Sequence, residues 1–223
     1  MAEVNLQALS PAASQHQQHQ RPHSIDTGPA GLLIGKGVGG PVTLRLFGRQ
    51  PTRIYLAIPS YLTWLLAFRA MCIGAHLSVI AADHRNWLSL ADTVRRCGGT
   101  IDLLSEAENL PGRGRLYRPS LIIDEVGAFG INSRLGAWQS LAVVGNPASS
   151  RAIGELRACD LALLSPLDQK GAEHLRRAYA LGGGEVRAVS ELEESEVIVA
   201  GVRRIMKVKA PPSPTEYRLL FDA

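Results

Sequence analysis

Aromatic residues are scarce in this chain, at 5% of 223 residues, although 46% of the sequence is hydrophobic. The core must therefore be aliphatic, the composition of a buried parallel sheet. Cysteine is scarce too. Cys72, Cys97 and Cys159 show no CxxC spacing, so a structural zinc site has no ligand set. Each lies in or beside an apolar run and is expected as a buried thiol in a reducing compartment. HExxH and GxSxG are absent, which removes zinc-peptidase and nucleophile-elbow chemistry. Charge is not concentrated: 24 Lys+Arg stand against 20 Asp+Glu, a net +4. Its densest basic groups, Arg113, Arg115, Arg118 and Arg203, Arg204, Lys207, Lys209, lack an aromatic face, which argues against nucleic acid as a partner. No apolar run reaches the roughly 20 residues of a membrane span. The longest, Tyr61 to Ile73, carries Arg69 inside it, and the first thirty residues contain no signal-peptide h-region.

What is present centres on Pro51 to Asp83. An apolar run (Ile54 to Ile58) passes through a Pro-Ser turn into Tyr61 to Ile73, and a second apolar run (His76 to Ala81) follows Gly74. Strand, helix and strand in about thirty residues make one βαβ unit. Ser60 is placed to cap the helix. Leu62, Leu65, Leu66, Arg69, Ala70 and Ile73 keep helical spacing, and Trp64 pairs with Phe68 on a neighbouring stripe. Arg69, on so apolar a helix, is expected to pair with a carboxylate or to snorkel outward. The crossover turn AIPSYL has none of the glycines that let backbone approach a pyrophosphate.

Two phosphate-site signals fail on inspection. The segment GKGVGGP around Lys36 lacks the first glycine of a P-loop and the Ser or Thr after its lysine, and it leads into alternating Val42, Leu44 and Leu46. It is hairpin grammar. LIIDE (Leu121 to Glu125) imitates a Walker B strand, but without a P-loop Asp124 and Glu125 lose the phosphate-bound magnesium they would hold. Asp83-His84-Arg85 follows a strand's carboxyl end, where α/β sheets place ligands, and serves equally as a helix-start loop.

Further strands are expected at Thr100 to Leu104, Ser120 to Ile123, Trp138 to Val144 and Cys159 to Leu164. Helices are expected at Trp87 to Arg96, Arg151 to Ala158 and Asp168 to Leu181. Val186 to Val189, Glu196 to Ala200, Arg203 to Val208 and Tyr217 to Phe221 read as short β runs, and the acidic SELEESE as a solvated connection. The fold class is thus α/β: a mostly parallel, Rossmann-like sheet with helices on both faces and antiparallel strands added from the N- and C-terminal parts. The expected organisation is a disordered Gln/His-rich tail over 1–29 and one α/β domain over 30–223.

Several runs, in order, resemble the soluble domain of the EccE family of actinobacterial type VII (ESX) secretion systems. They are PVTLRLFGRQPTRIYLAI, WLLAFRAMCIGAHLSVI, HRNW, DEVGAFG with RLGAWQSLAVV, and CDLALLSPL, covering roughly Leu32 to Leu167. The resemblance implies a non-enzymatic subunit or accessory protein acting by protein–protein interaction beside EccB, EccC and EccD-like partners. Many members carry N-terminal transmembrane helices; here a Gln/His-rich segment stands instead. The expected location is therefore cytoplasmic, or peripheral to the inner face of the plasma membrane, with membrane association only through partners. Trp64, Arg69, Trp87, Trp138 and Gln139 are the interaction or structural candidates, with no catalytic residue, metal or cofactor. The alternative is a degenerate enzyme or a domain binding a small ligand, a nucleotide or nucleotide sugar. Its site would use Ser60, Asp83, His84, Arg85, Asp124 and Glu125 at the strand carboxyl ends.

Overall fold

The structure is a computed structural model that describes residues 31–107, 110, 114–130, 133–193 and 195–222. The expected tail over 1–29 lies outside the described residues. The strands are β1 (Leu32–Gly37), β2 (Gly40–Leu44), β3 (Thr52–Ala57), β4 (His76–Ile80), β5 (Ile101–Leu104), β6 (Ser120–Asp124), β7 (Gln139–Val144), β8 (Leu161–Leu164), β9 (Glu196–Gly201) and β10 (Arg204–Lys209). The helices are α1 (Ser60–Cys72), α2 (Arg85–Arg96), α3 (Ala152–Arg157), α4 (Gln169–Tyr179), α5 (Gly183–Ser190) and α6 (Pro214–Leu220).

All ten strands join one sheet in the order β2-β1-β10-β9-β8-β3-β7-β6-β4-β5. From β8 to β5 every pairing is parallel, and from β8 outward through β9, β10, β1 and β2 every pairing is antiparallel. The parallel strands come from the continuous aliphatic runs, and β6 is buried along its whole length. The antiparallel strands come from two hairpins, one at each end of the described chain. Gly35 lies where β1 meets β10: an added Cβ would stand 2.0 Å from the Lys209 carbonyl oxygen, so only glycine fits that approach.

Alternate residues of each parallel strand feed different cores, as the two-residue period requires. Ile54, Leu56, Val79, Leu121 and Ile123 face α1, α2 and α6, whose Leu65, Phe68, Trp87, Leu90 and Leu220 complete the largest cluster. Tyr55, Ala162 and Leu164 face the other way, onto Leu156, Leu175, Tyr179 and Val189 of α3, α4 and α5. Ile80, Ile122 and Leu141 share that second face but meet loop residues, Ala107, Leu110, Phe129 and Leu135, instead of a helix.

Four local expectations are corrected. Val186 to Val189 belongs to α5, not to a strand: the Glu185 carboxylate accepts from the Gly182 N–H at 2.7 Å and starts the helix. Tyr217 to Phe221 is mostly α6: Ser213 Oγ accepts from the Glu216 N–H at 3.2 Å, Glu216 accepts from the Ser213 N–H at 2.7 Å, and Pro214 sits in the first turn. The acidic stretch SELEESE is not wholly solvated, because its last residue, Glu196, opens β9, is buried, and its carboxylate meets Lys207 Nζ at 3.0 Å. Cys72 and Cys97 are exposed; only Cys159 is buried. Both exposed cysteines stand where a helix ends, and the apolar stripe has already run out there.

Candidate functional site

Open α/β sheets bind ligands outside the carboxyl ends of their parallel strands, where neighbouring connections leave in opposite directions. Here that point lies between β8 and β3. The chain leaves β3 through α1 toward β4, on one side, while after β8 it passes to β9 on the other. A P-loop would occupy the β3–α1 connection. That connection is only Ile58-Pro59. A phosphate cradle needs a longer glycine-rich loop whose N–H groups converge, plus a lysine at the helix start. Proline has no N–H, and α1 contains no lysine. Pro59 is itself the N-cap; its carbonyl accepts from the N–H groups of Leu62 (3.0 Å) and Thr63 (3.2 Å). Ser60 is the first helical residue, exposed, and makes no capping bond, contrary to the expectation from its position.

The Walker B-like acids part company. Asp124 is fully buried, and its carboxylate accepts from three backbone N–H groups: Val126 and Ala128, each at 3.1 Å, and Phe129 at 2.9 Å. It fastens the loop that follows it, and that loop brings Phe129 over Ile80, Ile122 and Leu141. Glu125 is exposed, held in line by its N–H on the Ile80 carbonyl (2.9 Å).

Asp83, His84 and Arg85 also turn toward their surroundings. Asp83 accepts from the Arg85 N–H (3.0 Å) and from Arg85 Nε (2.8 Å). Those bonds hold its carboxyl below the usual carboxylate range and raise Arg85 in turn. His84 donates from Nε2 to the Leu104 carbonyl (2.9 Å), tying the start of α2 to the end of β5. The six residues of the ligand reading thus lie along the carboxyl edge, but among the described residues no hydrogen bond joins the Asp83–Arg85 trio to Asp124 or Ser60.

The interaction candidates divide between core and surface. Trp87 is 2% exposed and belongs to the largest core cluster. Gln139 is buried, and its Oε1 accepts from the Gly136 N–H (2.6 Å). Trp138 precedes β7 in a left-handed conformation (φ 61°), donating to the Gly48 carbonyl and accepting from the Ser120 N–H. Arg69 pairs with a carboxylate as expected: Nε reaches Glu216 Oε1 at 2.6 Å and Nη2 reaches Oε2 at 2.9 Å. Nη1 donates to the Ile34 carbonyl at 2.6 Å, so one guanidinium joins α1, α6 and β1. Burial alone would raise the Glu216 carboxyl, but Arg69 and the Ser213 N–H bring it below its ordinary value. Trp64 stacks on Phe221 (centroids 6.3 Å apart, planes 4° apart), with Tyr61 and Tyr217 closing around the same ring. Tyr217 remains 52% exposed, the part of this aromatic group that faces solvent.

The opposite, amino edge of the sheet holds a constellation that spacing does not reveal. Strands β4 and β5 pair with Leu77 opposite Ile101, which brings His76 beside Thr100 and Asp102. His76 Nε2 lies 2.7 Å from Asp102 Oδ2, and Nδ1 lies 2.9 Å from Thr100 Oγ1. The order hydroxyl, imidazole, carboxylate is that of an activated nucleophile. Arg118 Nη2, however, stands 3.2 Å from the same Nδ1 and 3.4 Å from Thr100 Oγ1, so the guanidinium shares the hydroxyl–imidazole contact. The group braces the β4–β5 edge. Beside it opens a cavity of about 580 Å³ lined by Met71, Cys72, Cys97, Thr100, Tyr117 and Arg118, among others. Only the strand register could have revealed the His76 group. Among the described residues no three His, Cys, Asp or Glu side chains converge as metal ligands, and no helix is long and apolar enough to cross a membrane.

No family model matches the chain, and no curated protein matches it by sequence. Solved structures do match in fold. VirB4 of Thermoanaerobacter pseudethanolicus is 10% identical, with a TM-score of 0.60 over 86% of this chain and 99% of that one. The genome packaging NTPase B204 of Sulfolobus turreted icosahedral virus 2, in complex with AMP, is 10% identical, with a TM-score of 0.53 over 75% of this chain and 100% of that one. The cytoplasmic domain of EssC is 13% identical, with a TM-score of 0.50 over 86% of this chain but only 44% of that one. At such identities the likeness is one of fold: this chain is built on the same α/β sheet as a genome packaging NTPase.

Proposed function

We propose that this chain is a non-catalytic subunit or accessory protein of a type VII-like secretion apparatus, in which an NTPase-type sheet acts as a scaffold for protein–protein contact. The observation that carries the reading is the β3–α1 connection. Where a phosphate cradle would stand, two residues, Ile58 and Pro59, pass directly into the helix. The state of Asp124 supports it, since all three of its bonded donors belong to its own loop. The ordered EccE-like runs suggest the apparatus, and the shared fold with VirB4 and the cytoplasmic domain of EssC fits it. EccB, EccC and EccD-like proteins are the expected partners, with membrane association through them. Affinity purification of the tagged chain from a native membrane fraction tests the reading. Co-purification of these components is expected; their absence would count against it.

A second reading, a nucleotide or nucleotide-sugar binding domain, is favoured by the fold shared with B204, which was solved with AMP. It would place the ligand near Ser60, Asp83, His84, Arg85, Asp124 and Glu125. A ligand at a hundred times its Kd would stabilise the chain by about 2.7 kcal/mol. A saturable thermal shift with magnesium and ATP would favour this reading over the first.

A further inference from the structure

Cys72 is the last residue of α1, and Cys97 follows α2 as its C-cap. Both are exposed, and both line the cavity at the amino edge of the sheet. An independent contact fixes their neighbourhood. A Cβ added to Gly99 would lie 2.4 Å from Met71 Cγ and 2.8 Å from Met71 Sδ. The backbone just after Cys97 therefore presses on the residue just before Cys72. Partial cover by its neighbours, and after it the nearness of Cys97, push the Cys72 thiol up. Cys159 is different: it is buried in the core cluster under α3 and α4, and burial pushes its thiol up to about 12.

We propose that Cys72 and Cys97 form a reversible redox pair, closed to an intramolecular disulfide by exchange with a small disulfide entering this cavity. The thiolate of one cysteine attacks a sulfur of the small disulfide, forming a mixed disulfide and expelling one small thiolate. The thiolate of the second cysteine then attacks the protein sulfur of the mixed disulfide and expels the other. Two protein thiols lose two electrons and two protons, and the small disulfide becomes two thiols. The product would join the ends of α1 and α2, two of the three helices that cover one face of the sheet. In a reducing compartment such a bond is transient and acts as a sensor.

Treating the reduced full chain with glutathione disulfide, followed by alkylation, trypsin and mass spectrometry, tests this. Trypsin cuts at Arg85, Arg95 and Arg96, so a Cys72–Cys97 bond appears as two joined peptides. The expected result is that joined pair, formed at least about tenfold faster than any modification of Cys159 and reversed by dithiothreitol. Cys72→Ser should instead trap a stable glutathione adduct on Cys97, and Cys97→Ser one on Cys72. Persistent adducts on both cysteines of the unmutated chain, reactivity no greater than that of Cys159, or linkage only between molecules would each overturn the proposal.

Discussion

The two ends of the parallel sheet differ in what their polar groups do. At the carboxyl end, where this architecture usually binds ligands, they are spent locally. Asp124 holds three amides of the next loop, Asp83 holds Arg85, and the β3–α1 connection is short and carries a proline. At the amino end, His76, Thr100, Asp102 and Arg118 form a linked group beside an open cavity with two exposed thiols. The polar groups at the two ends of the sheet thus stand in different arrangements. At the carboxyl end the side chains fasten their own loops, and at the amino end two exposed thiols border an open cavity.

The sharpest test of that contrast is Asp124→Ala. Removing the carboxylate leaves three N–H groups without their acceptor and frees the loop that covers Ile122 and Leu141. The expected cost is about 3 kcal/mol, which for a chain of this size lowers Tm by roughly 6–12 °C. Asp124→Asn keeps one acceptor oxygen and should lose about half as much. Calorimetry of the ligand-free protein decides. If Asp124 were instead poised for a nucleotide-bound cation, its removal would leave the ligand-free Tm unchanged.

Next in size is Arg69→Met, which keeps the aliphatic stem but removes the donors to Glu216 and to the Ile34 carbonyl. The pair is mostly buried, with side chains 14% and 15% exposed, and urea denaturation should show a loss of about 2 kcal/mol at pH 7. The pH dependence has a defined sign. Glu216 is depressed in the folded state, so its contribution is complete above the unfolded glutamate value of about 4.3 and is lost as pH falls through the lower folded value. The difference between wild type and variant should therefore shrink below about pH 4.

Much of the parallel half was legible because β3, β4, β6 and β8 are aliphatic runs closed by Gly, Pro or Asp, and burial on both faces leaves few other places for them. Their order was not legible: a strand's neighbours are set by which face its crossover covers, and β8 returning beside β3 leaves no local mark. The missed helices have different causes. For α6 the signal was present, since Ser213-Pro214-Thr215-Glu216 is a capping box with proline in the first turn, but the apolar residues after it also suit a strand. For α5 the run Val186 to Val189 is too short for a period to show. The pairing of Arg69 with a carboxylate was readable from an arginine on an apolar helix, but the partner, 147 residues away, was not. The His76 group was invisible for the same reason, because it exists only through the β4–β5 register.

Ser60→Ala carries the smallest expected effect and bears directly on the carboxyl end. A serine after a strand and before an apolar helix normally caps it, and loss of such a cap costs about 1 kcal/mol. Here Pro59 occupies the cap position, and the Ser60 side chain makes no capping bond, so the substitution should change stability by less than about 0.5 kcal/mol. Alanine also has the higher helix propensity, so any small change should be stabilising. A loss near 1 kcal/mol in urea denaturation would mean that the hydroxyl does cap α1 in solution. The start of α1 would then hold a polar group oriented by the helix, and the contrast between the two ends of the sheet would narrow at the position where a phosphate would bind.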